Sequence, residues 1–274
     1  MVSRGRRLLT YEDVIVEALE RAKRRFAEIR VSGEATKIIG RGASGDRTLL
    51  LDKALEDEIL TLLKERLERC LIISEEAGFV GDPASELTAL VDPVDGSTNA
   101  GRGIPFFSAS VAIALGRRFS DIVSAGTVDL VNGEIIVASK GRGCRVDGKE
   151  AHPSTIDDLS AAVISLSLRV KGQYKNDPHL LANLLNNIRH PRILGTAALE
   201  TAYVAVGKVD GFIEPYPRLR TYDCLPSLFL VKEAKGVFKI LNTPEDIDLR
   251  SNVTLGYVAA GCQALLDKIL KLMG

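Results

Sequence analysis

Two carboxylates three residues apart, on a stiff turn after an apolar run, are the residues of this sequence best suited to chemistry. The segment Asp92-Pro93-Val94-Asp95-Gly96 comes directly after Leu90-Val91. Pro93 fixes its own φ and restricts Asp92 to an extended conformation, so the turn is stiff. Because converging anionic oxygens repel each other unless a cation lies between them, the segment predicts a metal site, with the Val94 carbonyl as a further oxygen ligand. A capped acidic turn without a ligand is the alternative.

A helix start suited to a phosphate group follows these carboxylates. Gly96 lets the backbone approach a ligand closely, and Ser97, Thr98 and Asn99 can begin a helix. The first N–H groups of a helix have no partner within it, and the helix dipole is positive at that end. The sequence therefore predicts a phosphate-binding site beside the metal site.

Acidic residues from two other segments strengthen the prediction of a metal site. Glu75-Glu76 ends a predicted strand in the same way as Asp92, so one of the two glutamates lies at the same sheet edge if the strands are neighbours. Asp223 opens a predicted helix, where it is either an N-cap or a further ligand. Such an oxygen site suits Mg²⁺ or Mn²⁺ better than zinc. The chain has three histidines, none in these segments, which disfavours Ser-His-Asp hydrolysis.

The first half of the chain is predicted to place two amphipathic helices before a set of strands. The helices span 10–29 and 50–69, and Thr10 can cap the first with Asp13 at the reciprocal position. Strands are predicted at 70–74, 88–91, 107–115, 122–129, 134–138 and 143–146. Short polar turns separate the last four strands, which favours antiparallel pairing.

The second half is predicted to alternate strands with helices. The strands lie at 162–168, 192–194, 209–214, 237–240 and 254–259, and the helices lie at 178–188, 196–206, 223–234 and from 262 onward. This alternation is typical of a mostly parallel, layered α/β arrangement. We expect an α+β unit at 1–151 with an antiparallel sheet that carries most of the metal ligands. An α/β unit at 152–274 would supply Asp223 and the substrate contacts.

Composition argues against several other classes of protein. The 36 basic and 36 acidic residues among 274 cancel, so there is no overall electrostatic reason to bind nucleic acid. No run of apolar residues is long enough for a membrane span. The four cysteines form no CxxC pair, which disfavours a zinc site. We expect a cytoplasmic protein with no nucleic-acid or membrane partner.

A glycine-rich segment favours a competing class, the dinucleotide-binding oxidoreductases. Gly40-Arg41-Gly42-Ala43-Ser44-Gly45 matches the GxGxxG pattern. That pattern binds a dinucleotide when it follows a core strand and opens the helix of a βαβ unit. Here it follows a long helix and a very short apolar run, so a glycine-rich loop near the metal site is the favoured interpretation.

Three motifs in order give the chain a recognisable family resemblance. It resembles the inositol monophosphatase family of Mg²⁺-dependent sugar phosphatases, and particularly the archaeal members that also hydrolyse fructose 1,6-bisphosphate. The motifs are Ser74-Glu75-Glu76, then Asp92-Pro93-Val94-Asp95-Gly96-Ser97-Thr98-Asn99, then Tyr222-Asp223. Gly45-Asp46-Arg47-Thr48 running to Asp52 and Arg192 to Ala198 also look like family segments. The resemblance implies an α+β fold, the layered αβαβα sandwich of the sugar phosphatases, and a homodimer.

The resemblance also implies roles for individual residues. Two or three Mg²⁺ ions, with Mn²⁺ as a substitute, would be held by Glu75, Asp92, the Val94 carbonyl, Asp95 and Asp223. Ser97 with Asp52 would polarise the attacking water. The N–H groups of Gly96 and Ser97, with Thr98 beside them, would hold the phosphate. The sugar or polyol would contact Gly195, Thr196 and Ala197, with Arg192 nearby.

Substrate choice is the point on which the sequence leaves alternatives open. Glu214 lies near the position of the family's substrate-contacting glutamate, but its longer spacing to Asp223 argues against strict inositol selectivity. Arg192 and Arg220 are the predicted contacts for a second phosphate, as fructose 1,6-bisphosphate requires. Hydrolysis of 3′-phosphoadenosine phosphate and a catalytically silent scaffold are the alternatives within the same fold.

Overall fold

Two long helices form the first layer of the structure. The computed structural model describes residues 9–32, 37–42, 47–168 and 177–274. Helix α1 spans Tyr11–Ser32 and α2 spans Leu50–Arg66. The predicted cap of α1 is present, because Thr10 N and Oγ1 donate to Asp13 Oδ2 at 2.9 and 2.7 Å, and Asp13 N donates back to Thr10 Oγ1. A buried apolar stripe on α1 packs against α2 and the sheet beneath it.

A short hairpin precedes α2 and bears on the dinucleotide-binding alternative. Strand β1 (Ile38–Arg41) pairs antiparallel with β2 (Arg47–Leu49). A βαβ unit needs a helix between parallel strands, so this pairing disfavours a dinucleotide-binding fold. Residues 43–46, which complete the glycine pattern and include Asp46, lie outside the described residues.

The second layer is a sheet of eight strands. They are β3 (Cys70–Ser74), β4 (Gly78–Gly81), β5 (Leu87–Asp95), β6 (Ser108–Leu115), β7 (Ile122–Asp129), β8 (Ile135–Ser139), β9 (Cys144–Val146) and β10 (Lys149–Ala151). Their order is β10-β9-β8-β7-β6-β5-β3-β4, and only β3 and β5 pair in parallel. The antiparallel pairing predicted for the strands from β6 to β9 is confirmed, whereas no strand was predicted at the positions of β4 and β10.

Strand β5 runs four residues past its predicted end and so includes the segment Asp92-Pro93-Val94-Asp95, which we call the acidic turn. Its pairing with β6 shifts register between Asp92 and Asp95. Pro93 lies within this irregularity, and a proline has no N–H to offer a neighbouring strand. The break lets the carboxylates leave the plane of the sheet, and the six-residue helix α3 (Ser97–Arg102) follows at once.

A second, smaller sheet contains both parallel and antiparallel strand pairs. It is the fourth layer, because two helices described below form the third layer between the sheets. It contains β11 (Val163–Leu166), β12 (His190–Arg192), β13 (Gly211–Leu219), β14 (Val237–Ile240) and β15 (Leu255–Ala260), in the order β12-β11-β13-β15-β14. β11 pairs in parallel with β12 and β13, but β15 is antiparallel to β13 and β14. Of the five strands described in this sheet, four run in one direction and β15 runs against them, so the prediction of a mostly parallel sheet is confirmed except for β15.

The remaining helices complete an αβαβα sandwich, as predicted. They are α4 (Pro178–Asn187), α5 (Ala197–Ala205), α6 (Thr221–Glu233) and α7 (Gln263–Met273). Helices α5 and α6 lie between the two sheets and share one large apolar core with both, while α4 and α7 cover the outer face of the smaller sheet. Because the central core joins both halves, the division near residue 152 stays a prediction. No helix in the described segments is long and apolar enough to cross a membrane.

Candidate active site

An acidic cleft of about 670 Å³ opens where β3, β5, α3 and α6 meet. Its acidic lining residues are Glu75, Glu76, Asp92, Asp95 and Asp223. Of the other predicted site residues, Val94, Gly96, Ser97, Thr98 and Gly195 line it as well. The structure thus brings together the carboxylates that the sequence distributes over three separate segments.

The parallel pairing of β3 with β5 places Glu75 beside Asp92. Ser74 is opposite Val91 in the register, and Glu75 N donates to Val91 O at 3.3 Å. Parallel strands end at the same edge of a sheet, so carboxylates that follow two neighbouring strands project together. The sequence-based expectation for this sheet edge is confirmed.

Glu75 and Asp92 form a close pair of acidic groups, of which Asp92 is buried and Glu75 is half-buried. Burial is the main cause that raises the pKa of Asp92, which is 1% exposed, and the neighbouring Glu75 raises it further. Burial followed by the charge of Asp223 likewise raises the pKa of Glu75. Asp92 Oδ1 is buried without a hydrogen-bond partner in the part of the chain that the structure describes. Such a group is costly unless a proton or a cation compensates it, so these oxygens fit a hard divalent cation.

Asp95 connects the acidic turn to the start of α5. Its Oδ2 accepts a hydrogen bond from Ala198 N at 2.7 Å. Burial raises the pKa of Asp95 to about 6, and the Thr196 hydroxyl opposes the rise together with backbone N–H groups that include those of Ala198 and Leu199. The contact joins residues 103 positions apart and fixes α5 against the cleft.

Asp223 is the third residue of α6, rather than the N-cap at which the sequence prediction began the helix. The helix starts two residues earlier, at Thr221, with Arg220 as its N-cap. Asp223 Oδ2 accepts a hydrogen bond from Arg220 N at 2.7 Å, and the same residue lines the cleft. The two alternatives considered for Asp223, a helix cap and a site residue, are therefore compatible.

These carboxylates are near one another without forming a closed cage. In the segments that the structure describes, no three acidic, histidine or cysteine side chains converge in the manner of a complete metal site. Instead, one carboxylate oxygen of Asp95 and one of Asp223 each accept a hydrogen bond from a backbone N–H group. Like charges in one cleft repel one another, so each of these carboxylates is oriented towards a backbone N–H group that stabilises its charge.

Asp52 and Ser97 lie at the other side of the acidic turn. Asp52, the third residue of α2, accepts a hydrogen bond from Leu49 N at 2.8 Å through Oδ2, while its buried Oδ1 has no partner among the described residues. Ser97 Oγ donates to Val94 O at 2.9 Å. Burial raises the pKa of Asp52 to about 7, and the Ser97 hydroxyl is close enough to oppose that rise. The two side chains are neighbours, although the Ser97 hydrogen bond goes to Val94.

Comparison with known proteins decides the family. The model of the inositol monophosphatase family matches residues 10–271. The chain belongs to the inositol monophosphatase family. It is 31% identical over 273 residues to a fructose-1,6-bisphosphatase/inositol-1-monophosphatase of Methanothermobacter thermautotrophicus, with 95% of each chain covered. It is 29% identical over 246 residues to the Nus factor SuhB of Escherichia coli, covering 89% of this chain and 90% of the relative.

A solved structure agrees with this assignment. The crystal structure of an inositol monophosphatase–fructose 1,6-bisphosphatase matches with a TM-score of 0.82 at 27% identity, and the match covers 96% of this chain and 100% of the other. The predicted family and fold are both confirmed. Membership of the inositol monophosphatase family places the chain among the phosphoric monoester hydrolases.

Within this family fold, Thr196 and Ala197 lie at the start of α5 behind the cleft. Thr196 is the N-cap, and its Oγ1 accepts a hydrogen bond from Leu199 N at 3.2 Å. Gly195, with a φ of +85°, makes the preceding turn and reaches the cleft itself. Thr196 and Ala197 are almost fully buried, so their place among the substrate contacts stays a prediction.

Three other predicted substrate contacts do not line the cleft. Arg192 is exposed and donates to the adjacent Pro191 O at 3.0 Å. Arg220 donates to Tyr222 Oη at 2.7 Å. Glu214 is 1% exposed and accepts hydrogen bonds from Ser167 Oγ and from the backbone N–H group of Tyr216. Their roles in substrate binding remain predictions.

Sequence reasoning missed three residues that shape this site. Glu56 is fully buried behind Glu75, Asn99 ties α3 to the Gly195 turn, and Arg102 lines the cleft. Glu56 and Asn99 act through partners that are distant in the sequence. The position of Arg102 on α3, four residues after Thr98, was the available signal, because residues at that spacing share a helix face.

Proposed function

We propose that this member of the inositol monophosphatase family is a Mg²⁺-dependent phosphomonoesterase of small sugar and polyol phosphates. Inositol 1-phosphate and fructose 1,6-bisphosphate are the proposed substrates, in agreement with the name of the archaeal relative. The observation that carries the proposal is the close pair Glu75–Asp92, in which the buried Asp92 Oδ1 has no hydrogen-bond partner among the described residues. A divalent cation compensates such a pair, and a phosphate ester supplies the anion that completes the charge balance.

The proposed metal ligands are Glu75, Asp92, the Val94 carbonyl, Asp95 and Asp223. Two or three Mg²⁺ ions held there, or Mn²⁺ in their place, would neutralise the phosphate charge and lower the pKa of an attacking water. Glu75, Asp92 and Asp95 come from one sheet edge, and Asp223 comes from α6 in the second half. The set is rich in oxygen and has no histidine or cysteine, which supports Mg²⁺ over zinc.

Asp52 and Ser97 are the proposed pair that orients water and receives its proton. A pKa of about 7 suits a proton acceptor near neutral pH. The water oxygen forms a new bond to phosphorus while the bond from phosphorus to the ester oxygen breaks. The water proton passes towards Asp52, and the leaving alkoxide takes a proton from solvent. The backbone N–H groups of Gly96 and Ser97, with Thr98, would hold the phosphate.

The decisive experiment is a phosphate-release panel. The purified chain is assayed with inositol 1-phosphate, fructose 1,6-bisphosphate and 3′-phosphoadenosine phosphate, each with Mg²⁺ and with chelator. We expect Mg²⁺-dependent release from the first two substrates. Preference for the third would favour the nucleotide-phosphatase alternative, and no release from any of them would refute the enzymatic proposal.

Asp95→Asn tests the acidic turn directly. We expect turnover to fall by orders of magnitude, because the substitution removes one negative ligand and disturbs the contact with Ala198 N. Asp57→Asn, at an exposed position of α2, is the matched control. Circular dichroism must show the same fold for both variants, and near-wild-type turnover of Asp95→Asn would contradict the assignment.

We further propose a cytoplasmic homodimer without nucleic-acid or membrane partners. The balanced charge of the chain supports the absence of a nucleic-acid partner. Light scattering coupled to size exclusion measures the oligomeric state, and a mass of one chain would contradict the dimer.

A further inference from the structure

One face of α3 forms a wall of the acidic cleft. Ser97, Thr98, Gly101 and Arg102 all line the cleft, whereas Asn99 and Ala100 are buried on the opposite face. Residues four apart on a helix lie on the same side, so Thr98 and Arg102 project in a common direction. Arg102 therefore belongs to the same open surface as the proposed phosphate-binding residues.

Arg102 is the one cationic residue among the described residues that line this cleft. Five acidic residues line the same space, so the charge of Arg102 stands out against its surroundings. The side chain is exposed, and within the described ranges no carboxylate or carbonyl pairs with it. A guanidinium group at the rim of a cleft that has no partner among the described residues is available to an anionic ligand.

The arginines that the sequence favoured for a second phosphate are differently placed. Arg192 donates to the backbone of its neighbour, and Arg220 donates to the Tyr222 hydroxyl. Neither lines the cleft. The contrast singles out Arg102 as the cation that a ligand in the cleft would meet.

We propose that Arg102 binds the second phosphate of a sugar bisphosphate and so determines the preference for bisphosphates over monophosphates. The inference rests on the proposed function, in which the reacting phosphate lies at Gly96 and Ser97. The backbone rises about 1.5 Å per residue in a helix, so Arg102 lies about 7.5 Å further along α3 than Ser97. A sugar with a phosphate at each end can place one phosphate at Gly96 and Ser97 and the other at Arg102. The planar guanidinium fork matches the oxygens of a phosphate.

The first test compares two substrates on three variants. Arg102→Gln should lower kcat/KM for fructose 1,6-bisphosphate about tenfold, as expected for the loss of one charged hydrogen-bonding group, and should leave inositol 1-phosphate nearly unchanged. Arg102→Lys should retain part of the bisphosphate activity, because it keeps the charge and loses the fork. Arg30→Gln is the matched control, since Arg30 is an exposed arginine in the last turn of α1 and does not line the cleft.

The second test uses the product as a probe. Fructose 6-phosphate keeps the second phosphate and should inhibit the hydrolysis of inositol 1-phosphate. Its inhibition constant should rise about tenfold in Arg102→Gln, whereas that of inorganic phosphate stays the same. The difference should shrink at high ionic strength, because an exposed charge is screened by salt.

The two proposals fail in different ways. If the wild-type chain hydrolyses neither substrate, the proposed function is refuted, and the inference about Arg102 with it. If the wild type hydrolyses both substrates and Arg102→Gln lowers both rates equally, or lowers neither, the inference about Arg102 alone is overturned. An unchanged inhibition constant for fructose 6-phosphate also overturns it.

Discussion

Glu56 accepts hydrogen bonds from Ser74 Oγ and from Ala77 N, the latter at 2.9 Å, and so holds both ends of the segment that carries Glu75 and Glu76. The carboxylate is fully buried on α2 and also contacts Lys53 Nζ at 3.3 Å. A proposed metal ligand is therefore positioned by a second carboxylate that does not line the cleft. Outer residues of this kind orient metal ligands in many sites.

Removing the Glu56 side chain should weaken metal binding. Glu56→Ala leaves the Ser74 hydroxyl and the Ala77 N–H group without their partner, so we expect Mg²⁺ affinity to fall about 10- to 100-fold. The free energy of unfolding should fall by about 2 kcal/mol. Glu56→Gln should preserve most of the affinity, because both contacts go to the same oxygen, Oε1, which glutamine retains. Calorimetric titration with Mg²⁺ measures the affinity, with Asp57→Asn as control. Equal losses in the alanine and glutamine variants would argue against positioning.

Asn99 joins the two halves of the site, and its removal should loosen them. Its Nδ2 donates to Leu194 O at 2.7 Å and to Phe106 O at 2.8 Å. We expect Asn99→Ala to lower the free energy of unfolding by about 1–3 kcal/mol, since two carbonyls lose their donor. The KM for substrate should rise, because the Gly195 turn is no longer fixed against α3.

Asn99→Asp should be worse than Asn99→Ala, because it replaces the donor with a negative charge facing two carbonyl oxygens. Urea unfolding and steady-state kinetics measure the two effects. Asn187→Ala, on the exposed face of α4, is the control. A KM that does not change in either Asn99 variant would show that the turn is held by other contacts.

The two glycines that flank α3 offer a matched comparison. Gly96 and Gly103 both have left-handed backbones, with φ of +92° and +70°. A Cβ atom at Gly96 would lie 3.2 Å from Phe107 Cβ and 3.3 Å from Thr196 Cβ, whereas at Gly103 no atom lies within 4 Å. We expect each Ala variant to lose about 1–2 kcal/mol of stability through backbone strain. Only Gly96→Ala should also lose activity, because Thr196 or the turn must move. Thermal unfolding and kcat/KM measure these outcomes, and equal activity in the two variants would contradict the expectation.

Local chemistry made part of this structure predictable from the sequence. The cap at Thr10 and Asp13 depends on residues three apart, and the juxtaposition of Glu75 and Asp92 follows from two strands that end in carboxylates. The antiparallel direction of β15 could not be predicted in this way, because it depends on which neighbour the strand meets in the folded sheet. Strand β12 likewise begins two residues before its predicted start.

Two of the missed site residues, Glu56 and Asn99, have partners that are far away in the sequence. Asn99 reaches Leu194, 95 residues on, and Glu56 reaches Ser74, 18 residues on. Arg192 stands beside motif residues in the sequence, but its side chain donates to a local carbonyl and is not among the residues that line the cleft. Adjacency to a motif indicates where the backbone lies, whereas the direction of a side chain depends on its neighbours in space.

Stability should fall with rising pH more steeply without Mg²⁺ than with it. Burial raises the pKa of Asp52 to about 7 and that of Asp95 to about 6, above the ordinary aspartate value, and it also raises those of Glu75 and Asp92. In chelator the folded state therefore retains protons that the unfolded state releases. The free energy of unfolding should consequently fall as pH rises from about 4 to 7, by about 1.4 kcal/mol for each unit of raised pKa.

Saturating Mg²⁺ should make that fall shallower. Metal ligation requires deprotonated carboxylates, so the stabilisation by Mg²⁺ grows with pH and reaches about 2.7 kcal/mol when the ion is at a hundred times its Kd. Urea unfolding at a series of pH values, in chelator and in MgCl₂, measures both curves. Asp52→Asn removes one of the titrating groups and should flatten the curve in chelator. Parallel curves with and without Mg²⁺ would mean that these carboxylates do not bind the ion, since proton release and metal binding at one site cannot be independent.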